Sequence, residues 1–422
     1  MTATSERFEF DLFSPGPRES RPAVYAGLRA QPGLYRAADD LWVAARFEDV
    51  KAIQSQPELF SSRPNPYEGQ AAGEAADPDA DLIERLLSIA SSMPIDLDEL
   101  ATAQAIASAD PPEHTRVRRI VSRGFTPGRI ATMATTITAI VDRCMQGAGD
   151  LDGFDVIERL AVPLPVEMIA DILGIDSAGY DQVKQWSDGF AASAVGDIRT
   201  TPEGQLGLLT TLREFALFYV PLIEARRADP KDDVISAMLR AVDDEALTTV
   251  ETLTLAVTIM VAGNETSTNL IGNTVVELLS NPEQLGLLSA DPSLLPAAVD
   301  EANRLTAPIQ IAFREATQDL EVAGTAIPKG GVIALHLAAA NRDPDQFEDP
   351  DQFDINRPRA RHLSFGHGIH FCLGSHLALQ EVTSAVGALL PHLPHVRLAD
   401  APLEPNPSVI LNGWRKVELV RN

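Results

Sequence analysis

The chain has 422 residues, of which 45% are hydrophobic, and its formal net charge is −26. A surface with this much negative charge repels phosphate backbones and anionic lipid, so the composition argues against a nucleic-acid partner and against a membrane surface. The 2 cysteines exclude a disulfide scaffold and suit a reducing compartment.

The N-terminal part of the chain combines short helices, a hairpin and one long irregular region. It has neither the basic start nor the apolar run of a signal peptide, and we expect about the first 15 residues to be disordered. Short helices are predicted over Pro22–Ala30 and Phe47–Gln54, on either side of a hairpin over Gly33–Ala45. The irregular region Ser61–Asp110 contains one predicted helix, Asp79–Ser92. A loop this long in a compact domain is usually functional or mobile.

Helical periodicity dominates the middle of the chain, from His114 to Leu305. Its clearest segment is Thr248–Leu279, which contains no proline and is followed by Asn281 and Pro282. A helix of about 30 residues is about 45 Å long. Such a helix would cross the whole molecule and any central cavity.

Beyond Thr306, prolines and glycines separate short strands such as Val332–Leu337. A helix over Leu373–Leu390 and a hairpin over Val396–Val420 are predicted to end the fold. Helices in the middle with small sheets at both sequence ends favour one interleaved domain, 1–422, that is mainly α. No stretch has the roughly 18 uninterrupted apolar residues of a membrane span. We therefore expect a cytoplasmic monomer without membrane contact.

One of the two cysteines lies in a glycine-rich segment, Phe365–Gly374, which reads FGHGIHFCLG. Its glycines permit tight turns and close approach of the backbone to a flat ligand. Cys372 precedes a predicted helix, and the dipole and free N–H groups at a helix start favour a thiolate. Zinc is the alternative, because His367, His370 and His376 lie near the cysteine. Structural zinc sites, however, usually draw their ligands from two separated pairs.

The segment matches the pattern Phe-Gly-x-Gly-x-His-x-Cys-x-Gly at every fixed position, and on this motif the chain resembles the cytochrome P450 family. The resemblance implies a mainly α fold with small β-sheets, in which haem b lies between the long central helix and the cysteine loop. It implies that Cys372 is the axial ligand of the haem iron. It also implies haem contacts from Phe365, Gly366 and Gly374 of the loop and from Ala262 of the helix.

Residues 262–266 of the long predicted helix read AGNET among apolar neighbours. A glycine inside a helix costs about 1 kcal/mol against alanine, and a buried acid costs free energy unless it is paired. An exposed polar stripe is the alternative to a functional site. The segment resembles the family's oxygen-activation motif. By that resemblance, Gly263 leaves room for O2, Thr266 contacts it, and Glu265 relays protons from solvent.

The run DPPEHTRVRRI places His114 and Arg118 four residues apart, on one face of a helix that starts with prolines. A solvated basic face is the alternative reading. The resemblance implies that both residues bind the haem propionates, together with Arg314 and His370. Four cationic or donor groups suit two carboxylates in a partly buried site.

Glu301 and Arg304 are three residues apart, so their side chains share a helix face and can pair. The resemblance adds Arg357 and implies a buried structural cluster behind the cysteine loop. The chain departs from the family after Gly374, where Leu379 stands in place of the usual arginine of a Leu-Ala-Arg sequence. This removes a positive charge expected near the haem.

The resemblance implies a bacterial class I monooxygenase that converts RH, O2, two electrons and two protons to ROH and water. Electrons would come from an iron–sulfur ferredoxin with its ferredoxin reductase. Because such partners are often acidic, we expect a local basic patch, with scattered surface arginines as the alternative. The candidate residues are Arg116, Arg119, Arg123, Arg359 and Arg361.

By family position, the pocket walls come from five segments: Ser61–Asp110, Trp186–Phe218, Val261–Ala262, Ile309–Phe313 and Val409–Ile410. The wall residues singled out are Val261, Ile309, Ala312, Val409 and Ile410. These largely aliphatic walls indicate a lipophilic substrate of terpenoid, steroid or fatty acyl type. A peroxide-using haem-thiolate enzyme is one alternative, although it should lack the acid–threonine pair. A non-catalytic haem or redox sensor is the other.

Overall fold

The structure is a computed structural model, and it describes residues 8–12, 14, 16, 18–63, 80–176, 179–193, 201–231, 233–240, 246–358 and 360–422. The disorder expected at the N-terminus falls mainly on residues outside this set. Residues 64–79 of the predicted irregular region also lie outside it.

Helices make up most of the described chain. In order they are α1 Arg21–Arg29, α2 Phe47–Gln54, α3 Ala80–Ser91, α4 Leu97–Thr102, α5 Glu113–Val121, α6 Pro127–Thr132, α7 Ala134–Met145, α8 Pro163–Ile172, α9 Tyr180–Ser193, α10 Pro202–Ala228, α11 Val234–Leu239, α12 Thr249–Ser280, α13 Pro282–Ala290, α14 Leu295–Thr306, α15 Leu337–Ala340 and α16 Ser375–Leu389. The helices predicted over 22–30, 47–54, 79–92, 248–279 and 373–390 are confirmed, with ends within two residues of those expected.

The strands are short and form three sheets. In order they are β1 Tyr35–Ala38, β2 Leu41–Ala44, β3 Phe60–Ser61, β4 Phe154–Asp155, β5 Ile311–Ala316, β6 Leu320–Val322, β7 Thr325–Ile327, β8 Val332–His336, β9 Val396–Leu398 and β10 Glu418–Arg421. The sheet orders are β1-β2-β8-β5-β3, β4-β10-β9 and β6-β7.

The largest sheet joins the two ends of the sequence. The predicted N-terminal hairpin, β1–β2, is confirmed, and β2 pairs in parallel with β8, so that Leu41 lies opposite Val332. The predicted C-terminal hairpin is present as the antiparallel pair β9–β10. It is not a free hairpin, because β4 pairs with the other edge of β10.

Helix α12 is the axis around which the other helices pack. It begins with a capping box, in which the Glu251 N–H donates to Thr248 Oγ1 at 3.1 Å and the Thr248 N–H donates to Glu251 Oε2 at 2.8 Å. Its 32 residues would extend about 48 Å at 1.5 Å per residue. Helices α8, α9, α14 and α16 contact it, so α12 is buried around most of its circumference.

The main hydrophobic core surrounds α12 and runs from α5 to α16, while a second core lies against the five-stranded sheet. Cys144 is half-buried on α7 and packs against the main core, which agrees with a packing role. Of the described helices, the segment Glu203–Ala228 of α10 is long and apolar enough to cross a membrane by length and composition alone. That segment contacts α3, α9 and α12, and 28% of its most apolar part is buried.

Candidate active site

The cysteine loop is held in shape by two glycines with left-handed backbone and by main-chain hydrogen bonds. Gly366 has φ +71° and Gly368 has φ +69°. A Cβ atom on Gly368 would lie 2.3 Å from the carbonyl oxygen of Gln54, so no side chain fits there. The Cys372 N–H donates to the Phe365 carbonyl at 2.8 Å and closes the loop. A Cβ on Gly374 would meet no atom within 4 Å, so this glycine borders open space.

The Cys372 thiol lies in surroundings that act on its ionisation in opposite directions. Burial raises the pKa of the thiol, while a hydrogen bond from the Gly374 N–H and the charge of Arg118 lower it. Because burial dominates, the free thiol keeps its proton, and a bound metal cation would be needed to stabilise the thiolate. Within the described ranges, no group of three or more His, Cys, Asp or Glu side chains is placed to hold a metal ion.

Next to this loop, the structure brings together the four residues expected to bind carboxylates. His114 of α5 is buried, and its ring centroid lies 4.4 Å from that of His370. Both ring nitrogens of His114 are buried without a hydrogen-bond partner in the described part of the chain. Burial lowers the pKa of His114, and lowers that of His370 to about 3 with help from Arg314. Both imidazoles are therefore neutral and available as donors.

The two arginines of this set use only part of their donor capacity. Arg314 of β5 is buried and donates to the Phe313 carbonyl at 2.7 Å, and burial lowers its pKa to about 10. Arg118 donates to the Phe371 carbonyl at 2.6 Å. A guanidinium has five N–H donors, so both side chains can still bind an anion. The donor set therefore fits a ligand that carries carboxylates.

Ser62 and Asp110 belong to this group, and sequence reasoning missed both. The Ser62 hydroxyl lies 2.9 Å from His370 Nε2, and its N–H donates to Asp110 Oδ1 at 2.8 Å. Asp110 also accepts from the Ser61 hydroxyl at 2.6 Å and lies 3.5 Å from Arg63 Nε. These contacts join positions about 50 to 300 residues apart, so no local pattern could reveal them.

On α12, the AGNET segment presents different residues to different neighbours. Ala262 is exposed although it lies midway along a helix whose other residues, apart from its last, are buried or half-buried. The Thr266 hydroxyl donates to the Ala262 carbonyl at 2.7 Å. Glu265 is half-buried, and burial, followed by the charge of Asp188 on α9, raises the pKa of its carboxyl. The acid therefore faces α9, and the threonine hydroxyl lies next to the exposed Ala262.

The surroundings of Gly263 differ from those that the motif implied. A Cβ at this position would lie 2.5 Å from Ile169 Cδ1 of α8, so the glycine allows α8 and α12 to pack closely. The structure therefore gives Gly263 a packing role, where the motif implied room for O2. The exposed small residue of this segment is Ala262.

A buried acid beside this segment was not predicted. Glu381 of α16 is 2% exposed, and its Oε2 accepts a hydrogen bond from the Ser267 hydroxyl at 2.7 Å. Its Oε1 is buried with no partner in the described part of the chain. Burial raises the pKa of this carboxyl to about 8, so it is largely protonated at neutral pH. The one sequence signal was its spacing of four residues from the apolar Leu377 and Ala385.

Glu301, Arg304 and Arg357 form the expected cluster. Arg304 Nε and Nη2 donate to the two oxygens of Glu301 at 2.7 and 2.8 Å, and Arg357 Nε donates to Oε1 at 3.0 Å. Arg304 Nη1 also donates to the Asn341 carbonyl at 2.8 Å. Asn341 in turn donates to the hydroxyl of Ser364, directly before the cysteine loop, at 2.8 Å. Such a satisfied buried network supports the loop from behind.

The five predicted wall residues, Val261, Ile309, Ala312, Val409 and Ile410, are all half-buried. Two of the wall segments contact each other, because the Gln310 N–H donates to the Ile410 carbonyl at 2.7 Å. On the α9–α10 side, the Phe218 ring is 44% exposed and lies 5.2 Å from the Trp186 ring. Residues 64–79 and 194–200 of the other predicted walls lie outside the described ranges.

One residue of the predicted basic patch, Arg116, is already paired with acidic side chains. Arg116 donates to Glu113 at 2.7 Å and also to Glu251, so two carboxylates already neutralise its charge. Arg119 is engaged in contacts of its own. Arg123 and Arg361 are exposed, whereas Arg359 lies outside the described residues.

Comparisons with known proteins point to one family. The sequence profile described as "Cytochrome P450" matches residues 290–412. The chain is 34% identical to "Cytochrome P450 107B1" of Saccharopolyspora erythraea over 421 residues, which cover 98% of both chains. It is 35% identical to "6-deoxyerythronolide B hydroxylase" of the same organism over 361 residues, 85% of this chain and 84% of that protein.

Solved structures agree with the sequence comparison. The structure of CYP109E1 from Bacillus megaterium in complex with testosterone is 28% identical in sequence and superposes with a TM-score of 0.79. The superposition covers 95% of this chain and 99% of the CYP109E1 chain. The family's cofactor, haem b, fits the residues present, because unpartnered buried donors suit its two carboxylates and Cys372 suits its iron. This chain therefore belongs to the cytochrome P450 family and is a bacterial monooxygenase that uses haem b.

Proposed function

We propose that this chain hydroxylates a lipophilic small molecule, with Cys372 as the axial ligand of the haem iron. The observation that carries the proposal is the donor pocket beside the cysteine loop, where His114 keeps two unpartnered ring nitrogens. In this proposal, His114, His370, Arg314 and Arg118 bind the two haem propionates. When bound, the haem supplies the binding and reduction of O2.

The protein's own part in the chemistry is proton supply on the α12 side. Glu265 takes up protons from the direction of α9, where Lys184 and Asp188 form an ion pair of 2.7 Å. Its raised pKa keeps the carboxyl protonated closer to neutral pH than an ordinary glutamate. Thr266 holds its hydroxyl next to the exposed Ala262 and passes the proton on towards the proposed haem site. The balance is RH, O2, two electrons and two protons to ROH and water.

The proposed substrate is of terpenoid, steroid or fatty acyl type. The half-buried walls described above are aliphatic, and aliphatic walls select apolar ligands. The similar proteins also support a lipophilic substrate, since one is named for hydroxylating 6-deoxyerythronolide B and another was crystallised with testosterone.

Electrons are proposed to come from an iron–sulfur ferredoxin with its ferredoxin reductase. The exposed Arg123 and Arg361 offer positive charge on a chain whose net charge is −26, and an acidic partner would use it. We further propose that the protein is a cytoplasmic monomer that folds as one domain over 1–422.

The test is an oxygen-labelling experiment with the purified holoprotein, a ferredoxin, its reductase and a panel of steroids, terpenoids and fatty acids. Under oxygen-18 gas, the hydroxylated product should carry one heavy oxygen atom, and its formation should depend on NADH. Thr266→Ala should consume NADH while forming much less product. A product that appears only with added peroxide, or that carries oxygen from water, would overturn the proposal.

A further inference from the structure

A polar row on α12 runs from the proposed active site towards the segment that follows Val409 and Ile410. Thr266, Asn269 and Asn273 follow one another at spacings of three and four residues, so they share one face of the helix. Asn269 and Asn273 are each 1% exposed. Amides this deeply buried are costly unless they make specific contacts. Asn273 Nδ2 finds its partner in the segment that follows Val409 and Ile410, and Asn269 packs against Gly413 of the same segment. Asn269 Nδ2 and Asn273 Oδ1 have no hydrogen-bond partner in the described part of the chain.

Asn412 is the centre of these contacts and uses all four of its hydrogen-bonding groups. Its carbonyl accepts from Asn273 Nδ2 at 2.9 Å, and its N–H donates to the Pro308 carbonyl at 2.8 Å. Its side-chain oxygen accepts from Arg21 Nη1 at 2.9 Å, and its Nδ2 donates to the Thr306 carbonyl. One residue therefore joins α12, the end of α14 and helix α1.

Gln310 makes a second connection between the same elements. Its N–H donates to the Ile410 carbonyl at 2.7 Å, so the two wall segments are bonded to each other. Its side-chain Nε2 donates to the Thr306 carbonyl at 2.9 Å, and its Oε1 accepts from the Tyr25 hydroxyl at 2.8 Å. Both Gln310 and Tyr25 are buried.

Gly413, the residue after Asn412, is closely packed on both its inner and its outer side. A Cβ on Gly413 would lie 1.7 Å from Asn269 Oδ1, so the backbone packs directly against α12. From the outer side, Arg18 donates to the Gly413 carbonyl, and its guanidinium lies 3.7 Å from the centre of the Trp414 ring. The segment is therefore held between α12 and the N-terminal residues of the chain.

We propose that Asn412, Asn273 and Gln310 are positioning residues that set the distance of the two wall segments from α12, and that Tyr25 and Arg21 lock this arrangement from outside. The proposal rests on the proposed function, in which Ile309, Val409 and Ile410 face the substrate. The polar network thus makes helix α1, which is remote from the chemistry, a determinant of pocket shape.

The experiment compares a small and a bulky ligand of the haem iron in the holoprotein. Imidazole needs space only near the iron, whereas clotrimazole must also fit between the walls, and both give a spectral shift from which Kd is measured. Asn412→Ala should raise the Kd of clotrimazole about tenfold, the effect of losing one or two buried hydrogen bonds. The Kd of imidazole should change by less than about twofold.

Because Asn412→Ala removes several bonds from the core, a milder variant keeps the test decisive. Tyr25→Phe removes one hydroxyl and keeps the ring, so clotrimazole should weaken about two- to fivefold. Amide hydrogen exchange over residues 406–414 should become faster in the same variant. Tyr219→Phe is the matched control, because Tyr219 is fully buried and its hydroxyl has no partner in the described part of the chain.

Two outcomes would overturn the proposal: an unchanged Kd of clotrimazole in Asn412→Ala, or equal weakening of both ligands. Unchanged exchange over 406–414 in Tyr25→Phe would also contradict it. Failure of the proposed function looks different, since the unaltered protein would then form no NADH-dependent product labelled from O2, although it would still give the imidazole shift. Hydrogen exchange would still report on the network in that case.

Discussion

Glu381 is an ionisable group inside apolar packing, and its ionisation opposes folding. Burial raises the pKa of this carboxyl to about 8. The folded protein therefore holds a proton that the unfolded chain releases at mildly acidic pH. The stabilisation is complete below the pKa of the unfolded chain and is lost as the pH rises towards 8.

Glu381→Gln keeps an oxygen that can accept from Ser267 and removes the titration. We expect the variant and the unaltered protein to have similar free energies of unfolding at pH 5. At pH 8 the variant should be more stable, by about 2–4 kcal/mol if each unit of pKa shift is worth about 1.4 kcal/mol. Urea unfolding at several pH values measures this difference. A difference that does not change with pH would show that Glu381 ionises freely in the folded protein.

Members of the donor group that lie in a sequence motif were predictable. Members that join the group only through contacts with distant segments were not. The four donors, His114, Arg118, Arg314 and His370, lie together as the family resemblance implied. Ser62 and Asp110 escaped notice because their partners lie in other segments. The packing of Gly263 against Ile169 was equally invisible, since it depends on how closely α8 approaches α12.

At the scale of an element, the cysteine loop depends on a backbone that only glycine adopts easily. Gly368 has φ +69°, and a Cβ there would meet the Gln54 carbonyl of α2. The strain and the collision together should cost about 2–4 kcal/mol in Gly368→Ala. We expect a lower melting temperature and a lower haem content, measured by thermal unfolding and by the haem-to-protein absorbance ratio.

Gly286→Ala is the control for this prediction, because Gly286 lies inside α13 and an added Cβ would meet no atom within 4 Å. Alanine is favoured over glycine inside a helix by about 1 kcal/mol, so this variant should be as stable as the unaltered protein or more so. If both variants behaved alike, the left-handed turn at Gly368 would not be what holds the loop.

Elements with strong periodicity and clear caps were predicted closely. Thr248–Leu279 was expected and Thr249–Ser280 is observed, because the capping box and Pro282 mark the two ends in the sequence. The short helix α4 was missed. Its 6 residues are too few to show periodicity, although Asp96 caps it by accepting from two backbone N–H groups.

For the whole molecule, the sequence indicated small sheets at both ends without showing how they pair. The parallel pairing of β2 with β8 joins residues almost 300 positions apart, and the strands are only 4 and 5 residues long. No local pattern specifies such a partner. The result is that α1, the end of α14 and the 409–414 segment meet beside α12, which is the arrangement that the Asn412 network requires.

The central claim is that Cys372 binds the haem iron in a pocket completed by the donor set around His114. The carbon monoxide difference spectrum of the reduced holoprotein tests it most directly. We expect the strongly red-shifted Soret band that gives the family its name, in the unaltered protein and in Cys144→Ser, and its loss in Cys372→His. A band at the position typical of imidazole-ligated haem in the well-folded unaltered protein, or a red-shifted band that survives in Cys372→His, would contradict the assignment.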